Sequence, residues 1–216
     1  AGQAAIAMDN ASNFMELQQS NRELASAYDA TIESWSQALE LRDGTTEGHA
    51  RRVTRLTVKL ARLLGLDEKQ VVHIRRGALL HDIGKMSVPD AILQKKGSLS
   101  SKEMDIMHKH PLYALNMLST IPFLRPAMDI PVYHHEKWDG TGYPQGLKGE
   151  QIPLAARIFS IVDIYDALIS NRPYQKALVH REAISYILHQ SGTYFDPSLV
   201  PLAVKEFNSK YNTENE

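Results

Sequence analysis

The sequence predicts an all-α fold, a helical bundle preceded by one long N-terminal helix. Residues 8 to 42 contain neither Gly nor Pro, and their apolar residues recur at three-, four- and seven-residue spacings, as on one face of a helix. Later segments repeat this periodicity and end at Gly or Pro. No segment alternates apolar and polar residues as a half-buried strand does. Helices alone therefore explain the pattern.

The long helix carries an apolar stripe, which consists of Phe14, Leu17, Leu24, Tyr28, Ile32, Trp35 and Leu39. Asn21 lies within this stripe, and a polar residue at such a position often sets the register of a coiled coil. A coiled coil between two copies and packing on the chain's own bundle explain the stripe equally well. Both interpretations stay open at this stage.

The second and third helices should bring the first histidines into the bundle. Residues 42 to 46 combine Gly with capping residues, so a helix should start near Thr46 and carry His49. The next helix should run from residue 68 to 83, with His81 and Asp82 in its last turn. Gly84 follows directly and ends it.

The remaining helices are predicted from their caps and breakers. A helix capped by Ser100 or Ser101 should pass through His108 and His110 and be interrupted or kinked at Pro111. A short helix from about Leu124 should lead to His134 and His135, which precede an irregular loop over residues 137 to 149. Three further helices are predicted over residues 154 to 170, 180 to 189 and 197 to 207.

Length and composition limit the possible functions. The 216 residues suffice for one domain with an added element, so we divide the chain into an N-terminal signalling or linker helix (1–42), a bundle (43–210) and a flexible tail (211–216). A net charge of −1 offers no field that would recruit a nucleic acid polymer. Without cysteine there are no disulfides or thiolate metal ligands. Neither a membrane span nor a signal peptide is visible, and we expect a cytoplasmic protein.

Histidines and aspartates in separate helical segments form the most informative pattern. They are His49, His81, Asp82, His110, His134, His135 and Asp163. Helix ends in a bundle can converge, so ligands distant in sequence can meet around a metal ion. Asp82 is the natural bridging ligand because a carboxylate has two oxygens, and two ions about 3.5–4 Å apart can clamp a phosphodiester and activate the hydroxide between them.

Other candidates are weaker. His73, His180 and His189 are interpreted as surface or core residues, and at most one of His108 and His110 should face the site because they lie two residues apart on a helix. Asp166 fits either a partner that orients a ligand or an ordinary ion-pair residue, and we favour the ion pair. Imidazole and carboxylate ligands suit iron, manganese, nickel or zinc.

Three motifs resemble the HD-GYP family, a branch of the HD superfamily of metal-dependent phosphohydrolases. They are HDIGK at residues 81–85, HHEKWDGTGYP at 134–144 and DIYDALISNRPY at 163–174. The resemblance runs from about residue 43 to 207 and makes this segment an HD-GYP catalytic domain. It implies an all-helical bundle with a di- or trinuclear metal centre that hydrolyses cyclic di-GMP.

The resemblance also implies roles for single residues. One metal ion would be bound by His49, His81, Asp82 and Asp163, and the other by Asp82, His110, His134 and His135. Lys85 resembles a family lysine that contacts a phosphate, and Arg172 resembles an arginine that reaches the ligand, although Arg172 also fits an ordinary surface residue. Cations suit both positions because hydrolysis builds negative charge on the phosphoryl oxygens.

The resemblance also predicts the number of metal ions. Family members with three metals carry a glutamate four residues before the first histidine ligand, and Thr45 occupies that position. Glu47 lies only two residues before His49 and should point elsewhere. We therefore predict two divalent transition-metal ions, with iron or manganese favoured over nickel or zinc.

The loop with the GYP residues has three open interpretations. Tyr143 and Trp138 can line the pocket rim and stack on guanine, or Tyr143 and Pro144 can simply pack the loop on the bundle. The resemblance adds a docking surface for a partner signalling domain of the diguanylate cyclase type.

The leading hypothesis is a phosphodiesterase that opens cyclic di-GMP to pGpG with a hydroxide bridging two metal ions, and both pGpG and GMP stay open as the end product. The alternatives are hydrolysis of another cyclic dinucleotide such as cyclic GMP-AMP, and a cyclic di-GMP sensor or scaffold with little turnover. We expect the first helix to join a sensory or receiver domain in the full-length protein, and to form a homodimer if its stripe is a coiled coil.

Overall fold

The computed structural model describes residues 2–44, 48–171 and 176–214, and within these ranges the fold is all-α, as predicted. The α-helices are α1 (Gly2–Asp43), α2 (His49–Leu63), α3 (Glu68–Leu79), α4 (Asp90–Leu93), α5 (Ser101–Met107), α6 (His110–Ser119), α7 (Asp129–Tyr133), α8 (Leu154–Ile169), α9 (His180–His189) and α10 (Val200–Glu214). Short 3₁₀ helices cover Ile83–Ser87, Arg125–Ala127 and Gly149–Gln151. Among the described residues, no helix has the length and apolarity needed to cross a membrane.

The main core lies between α2, α3 and α8 and is closed by α9 and α10. The largest contributions from α2 and α8 come from Val53, Leu56, Leu60, Ile158, Phe159, Ile161 and Val162, all buried. On α2 these side chains recur every three or four residues, so one face of the helix packs into the core. Two of the core helices carry candidate ligands, since His49 begins α2 and Asp163 lies within α8.

The long helix α1 packs on the bundle only near its C-terminal end. Ile32 and Leu39 are buried there, and the Asp29 carboxylate accepts a 2.7 Å hydrogen bond from Arg76 of α3. The Arg76 guanidinium also lies 4.1 Å from the centroid of the Phe123 ring. Own-domain packing of the helix is therefore observed, and it uses Ile32 and Leu39 at the C-terminal end of the apolar stripe.

The stripe itself is largely exposed. Phe14 and Leu17 are each 60% exposed, Leu24 is 51% exposed, and Trp35 next to the bundle is still 42% exposed. Because these residues follow a seven-residue repeat on one side of the helix, a second helix could cover them without disturbing the bundle.

The turn after α3 differs from the prediction. The helix ends at Leu79, so His81 and Asp82 lie in a tight turn before the 3₁₀ helix Ile83–Ser87 rather than in the last helical turn. The reason is tertiary: Gly84 packs against the backbone of α6, where an added Cβ would stand only 2.7 Å from the Ala114 nitrogen. An i+3 hydrogen bond of 2.8 Å from the Lys85 amide to the Asp82 carbonyl tightens the turn.

The helix predicted through His110 is in fact two helices. Ser100 caps α5 with Glu103 in a reciprocal capping box, and α5 ends at Met107. His110 then begins α6 with Pro111 in its first turn, where a missing N–H costs nothing. Of the two effects predicted near Pro111, an interruption and a kink, the structure shows the interruption, and the proline lies in the first turn of the new helix.

Candidate metal centre

The seven candidate ligands predicted from the sequence lie together in two groups. The first group is His49, His81 and Asp163, and the second group is Asp82, His110, His134 and His135. Within each group, one donor atom per residue lies within 4.8 Å of all the others. Five separate helical segments thus deliver their side chains to one place.

Asp82 links the two groups. Its Oδ2 lies 3.2 Å from the His81 Nε2, while its Oδ1 lies 3.5 Å from the His110 Nε2 and 3.9 Å from the His134 Nε2. One carboxylate oxygen is thus directed to each group. This is the arrangement that a bridging carboxylate requires.

Most of the imidazoles are held by hydrogen bonds at Nδ1. The acceptors are the Ala78 carbonyl for His81 (2.9 Å), the Met107 carbonyl for His110 (2.8 Å), the Ile130 carbonyl for His134 (3.0 Å) and the Asp166 Oδ2 for His49 (2.8 Å). Because these partners only accept, Nδ1 carries a proton in each ring, and Nε2 is the nitrogen left to bind a metal ion. Metal-ligating histidines in proteins are oriented in the same way.

The three carbonyl acceptors belong to residues three or four positions before their histidine. Carbonyls in the last turn of a helix have no partner within the helix, so a histidine just beyond the end can donate to them. The position of each histidine after a helix end therefore fixes its ring. The donor set and the ring orientations fit divalent transition-metal ions.

The electrostatics of the first group centre on His49. Burial lowers the pKa of its imidazole, but the hydrogen bonds that the ring donates to Asp163 and Asp166 outweigh burial and raise the pKa to about 9. Without a metal ion the ring is therefore protonated at neutral pH, and a metal ion bound to Nε2 would displace that proton.

The side chains of the second group are in the protonation states that bind a metal ion. Burial lowers the pKa values of His110 and His135, and it lowers that of His134 to about 3, with neighbouring imidazoles adding to the effect. Burial raises the pKa of Asp82, but nearby positive charges, above all that of Lys85, outweigh burial and hold the pKa well below its usual range. These imidazoles are thus neutral and this carboxylate ionised near pH 7.

Lys85 lies beside the bridging carboxylate. Its Nζ is 2.8 Å from the Asp82 Oδ2 and donates a 2.8 Å hydrogen bond to the Asp43 Oδ2. Burial lowers the pKa of Lys85, but the charges of Asp82 and Asp43 outweigh burial and raise it. The ammonium is therefore charged and directed at the centre.

Sequence reasoning missed Asp43 and its neighbour Arg42. The Arg42 guanidinium donates to the Asp90 carboxylate at 2.7 Å and to the carbonyls of Val88 at 2.9 Å and Met86 at 3.0 Å. The end of α1 is thus bonded directly to the 3₁₀ helix that carries Lys85. No local sequence signal pairs these segments, which lie more than forty residues apart.

Asp166 also has a larger part than the sequence suggested. It forms the expected ion pair, with Arg52 Nε at 2.8 Å, and it also accepts the hydrogen bond from His49. The carboxylate is almost fully buried at 4% side-chain exposure. It therefore orients a candidate ligand as well as pairing with an arginine.

The GYP loop is anchored by a buried carboxylate. Glu136 accepts hydrogen bonds from the backbone amides of Gln145 at 2.7 Å and Leu147 at 3.0 Å. Gly142 lies so close to the backbone that an added Cβ would be only 2.5 Å from the Glu136 Cα. The loop is thus a compact turn folded back on the segment that carries His135.

Both faces of the Tyr143 ring are covered. The ring stacks on His135 with centroids 4.7 Å apart and on His108 with centroids 4.2 Å apart. The ring of Trp138 lies 5.9 Å from the Arg157 guanidinium instead. Stacking of Trp138 or Tyr143 on guanine stays a prediction.

Several predicted features lie elsewhere. Arg172, Thr45 and Glu47 fall outside the described residues, so a phosphate contact of Arg172 and the number of metal ions stay predictions. His180 lies away from both groups, where it bonds to Tyr165 at 2.9 Å.

A helical bundle with two groups of histidine and aspartate joined by one aspartate fits the HD class of metal-dependent phosphohydrolases, which the sequence motifs resemble. A family model described as "HD domain" matches residues 33–199. The chain belongs to the HD-domain family, and its HDIGK and GYP motifs assign it to the HD-GYP branch.

Relatives of known name share this domain. The chain is 41% identical over 172 residues to the cyclic di-GMP phosphodiesterase response regulator RpfG of Xanthomonas campestris pv. campestris, an alignment that covers 79% of this chain and 46% of that protein. It is 34% identical over 205 residues to 3′3′-cGAMP-specific phosphodiesterase 2 of Vibrio cholerae, covering 94% of this chain and 38% of the relative. The chain thus spans less than half the length of these two relatives.

Solved structures agree on the fold. A cyclic GMP-AMP-specific phosphodiesterase of V. cholerae, V-cGAP3, superposes with a TM-score of 0.62 at 22% identity, over 83% of this chain and 48% of that one. The HDG"Y"P protein Bd1817 of Bdellovibrio bacteriovorus superposes with a TM-score of 0.59 at 26% identity, over 76% and 51% of the two chains.

Proposed function

We propose that this domain is a metal-dependent phosphodiesterase that hydrolyses cyclic di-GMP to pGpG and then to GMP. The observation that carries the proposal is the position of Asp82, with one carboxylate oxygen directed to each of two histidine-containing groups. Relatives that are named cyclic di-GMP phosphodiesterases, at up to 41% identity, support the choice of substrate.

Two divalent ions fit the donor set, and we favour iron or manganese over nickel or zinc. Bound ions would lower the pKa of an attacking water and neutralise charge on the phosphoryl oxygens. His49, His81, Asp82 and Asp163 would hold one ion, and Asp82, His110, His134 and His135 the other. Metal analysis of protein purified without added metal would identify the ions and count them.

The chain's own residues supply the rest of the chemistry. Lys85 holds a fixed positive charge beside Asp82, where it would stabilise the negative charge that grows on a phosphoryl oxygen during hydrolysis. Asp43 keeps that ammonium in place from the other side. Arg172 would add a second cation to the phosphate. Hydrogen-bonded Nδ1 atoms keep the imidazoles fixed, so little reorganisation accompanies the reaction.

The test is turnover with product identification. Protein reconstituted with Mn²⁺ or Fe²⁺ should convert cyclic di-GMP to pGpG and GMP, and Asp82→Ala should lose activity because both groups lose a ligand. His189→Ala, an exposed histidine outside both groups, is the matched control and should keep full activity. Failure of the reconstituted protein to cleave cyclic di-GMP, or full activity of Asp82→Ala, would overturn the proposal.

A mixed cyclic dinucleotide is the second candidate substrate. Two relatives at 34% identity are named 3′3′-cGAMP-specific phosphodiesterases. Competition between cyclic di-GMP and 3′3′-cGAMP in one reaction measures the ratio of their kcat/KM values directly. A ratio that favours 3′3′-cGAMP by more than about tenfold would replace cyclic di-GMP as the preferred substrate.

The exposed stripe of α1 supports a homodimer. Leu17, Asn21 and Leu24 lie at coiled-coil spacing and are exposed in the single chain. Light scattering after size exclusion should give a dimer for the intact chain and a monomer for the double variant Leu17→Glu and Leu24→Glu. A monomeric intact chain would remove this part of the proposal. An upstream sensory or receiver domain and a partner at the GYP loop stay expectations.

A further inference from the structure

His135 is held differently from the other candidate histidine ligands. The rings of His49, His81, His110 and His134 each have a hydrogen bond at Nδ1 to a carbonyl or carboxylate oxygen. For the ring of His135, the structure records no hydrogen bond to any residue in the described ranges. A ligand without such a partner needs another restraint to keep its nitrogen directed at a metal ion.

Ring contacts supply that restraint: the His135 ring lies 4.0 Å from the tilted ring of His134, and it is stacked on Tyr143. Tyr143 lies nearly parallel to His135, with an angle of 25° between ring planes and 4.7 Å between centroids. On the other side, Tyr143 is nearly parallel to His108, at 27° and 4.2 Å. The two imidazoles make no recorded ring contact with each other, so they lie on opposite faces of the phenol ring. The three rings form a continuous stack, His108, Tyr143 and His135.

The middle ring of the stack is itself fixed in place. The Tyr143 amide donates a 3.2 Å hydrogen bond to the His135 carbonyl, so the ring and its imidazole partner are joined through their backbones. Gly142 packs against the same segment, with no space for a side chain. Glu136 binds the far side of the turn through the Gln145 amide at 2.7 Å. The turn therefore holds the phenol over the imidazole.

We propose that Tyr143 is a positioning residue that orients the metal ligand His135 by ring stacking, and that His108 supports Tyr143 from its outer face. The inference rests on the proposed metal centre and deepens it. It gives the tyrosine of the GYP motif a role in metal binding instead of in guanine recognition. A stacked aromatic pair corresponds to about a 2- to 12-fold effect on an equilibrium.

Variants at Tyr143 separate the ring from its hydroxyl. Tyr143→Phe keeps the stack, whereas Tyr143→Leu keeps apolar volume and removes the ring. A tyrosine in a tilted aromatic pair elsewhere provides the control: Tyr28→Leu removes a ring that lies 4.7 Å from Phe123 on the outside of the bundle. His108→Leu removes only the exposed outer ring of the stack, so it tests the proposal without risk to folding.

The main measurement is Co²⁺ binding to metal-free protein, followed by its visible spectrum. We expect two ions in the wild type, in Tyr143→Phe and in Tyr28→Leu. In Tyr143→Leu, one ion should bind as in the wild type and the other about 10-fold more weakly with an altered spectrum. His108→Leu should weaken the same ion by about 2- to 3-fold.

A second readout needs no metal. In metal-free protein, proton NMR of His135 should show the ring-current shift that a stacked phenol causes, present in Tyr143→Phe and lost in Tyr143→Leu. Wild-type affinity for both ions in Tyr143→Leu, or equal weakening by Tyr143→Phe, would overturn the inference and leave the metal centre intact. Unchanged metal binding with a raised KM for cyclic di-GMP would assign the ring to substrate instead. A wild type that binds no ion would overturn the metal centre and the inference together.

Discussion

Replacement of Asp166 by Asn tests how the first group is built. The carboxylate accepts from the His49 Nδ1 at 2.8 Å and from the Arg52 Nε at 2.8 Å and terminal nitrogen at 3.0 Å. Asn has the same shape but only one accepting oxygen, and its amide nitrogen is a donor. At least one of the two partners would therefore face a donor, and both would lose a negative charge.

The expected loss of metal affinity in Asp166→Asn follows from the role of Asp166 as the hydrogen-bond partner that orients His49. Loss of the group that orients a metal-ligating histidine costs about 10- to 100-fold in metal affinity, or about 1.4–2.7 kcal/mol. A smaller effect opposes this loss at pH 7. Asp166 helps to raise the pKa of His49 to about 9, so the variant lowers that pKa and reduces competition from the proton. The net loss should therefore be near the lower end, about 10-fold.

The assay is a metal titration of the metal-free variant, with Asp105→Asn as the control because that aspartate is exposed on α5. We expect one ion to bind about 10-fold more weakly in Asp166→Asn and both ions to bind normally in Asp105→Asn. Urea denaturation should also give a lower free energy of unfolding for Asp166→Asn, by about 1–3 kcal/mol, since the buried ion pair between Arg52 and Asp166 loses its negative charge. Unchanged affinity for both ions would show that Asp166 does not orient His49.

Three further predictions concern proton release, packing and the end of α1. At pH 7, binding of two ions should release about two protons, one from metal-bound water that becomes hydroxide and one from His49, because the pKa of His49 is raised to about 9 while His134, with a pKa of about 3, is already neutral. Calorimetry in buffers of different ionisation enthalpy measures this number, and no release would contradict the raised pKa. Gly84→Ala should lower the free energy of unfolding by about 1–3 kcal/mol, because its Cβ would meet backbone atoms of α6 that cannot rotate away. Urea denaturation measures this loss, and Ser87→Ala at an exposed position is the control. Equal stability of the two variants would argue against the contact between Gly84 and α6. Arg42→Met should speed amide hydrogen exchange in residues 83–88, since three carbonyls lose their donor, and wild-type exchange rates would show that α1 does not brace this segment.

Local signals explain why much of the fold was predictable. Asp67 forms a capping box with Gln70 at the start of α3, and Ser100 forms one with Glu103 at the start of α5. Each box is readable from four consecutive residues. The all-α class is confirmed for the same reason, because helix periodicity and caps are properties of short segments.

The residues of the candidate site could also be predicted from the sequence, since their residue types are distinctive. All seven predicted ligands lie in the two groups, because adjacent histidine and aspartate pairs at helix ends are few in this chain. The ring orientations follow as well, because most of the acceptors lie three or four residues away. Their roles as metal ligands stay a proposal that the titrations test.

Long-range contacts account for what the sequence did not reveal. Asp166 and His49 are 117 positions apart, and Asp43 and Lys85 are 42 apart. Neither pair has a local spacing that would identify it. The end of α3 before His81 was mispredicted because the contact of Gly84 with α6 decides it.

By itself the sequence determined the helical class, the caps, the family and the set of candidate ligands. These depend on local periodicity and on rare combinations of residue types. Only the tertiary structure decided that Asp82 directs one oxygen to each group, that Asp43 holds Lys85, and that Tyr143 lies between two imidazoles. The reason is physical: these relations depend on how helices pack in three dimensions. The sequence has no periodic pattern from which a side chain's neighbours across a bundle could be predicted.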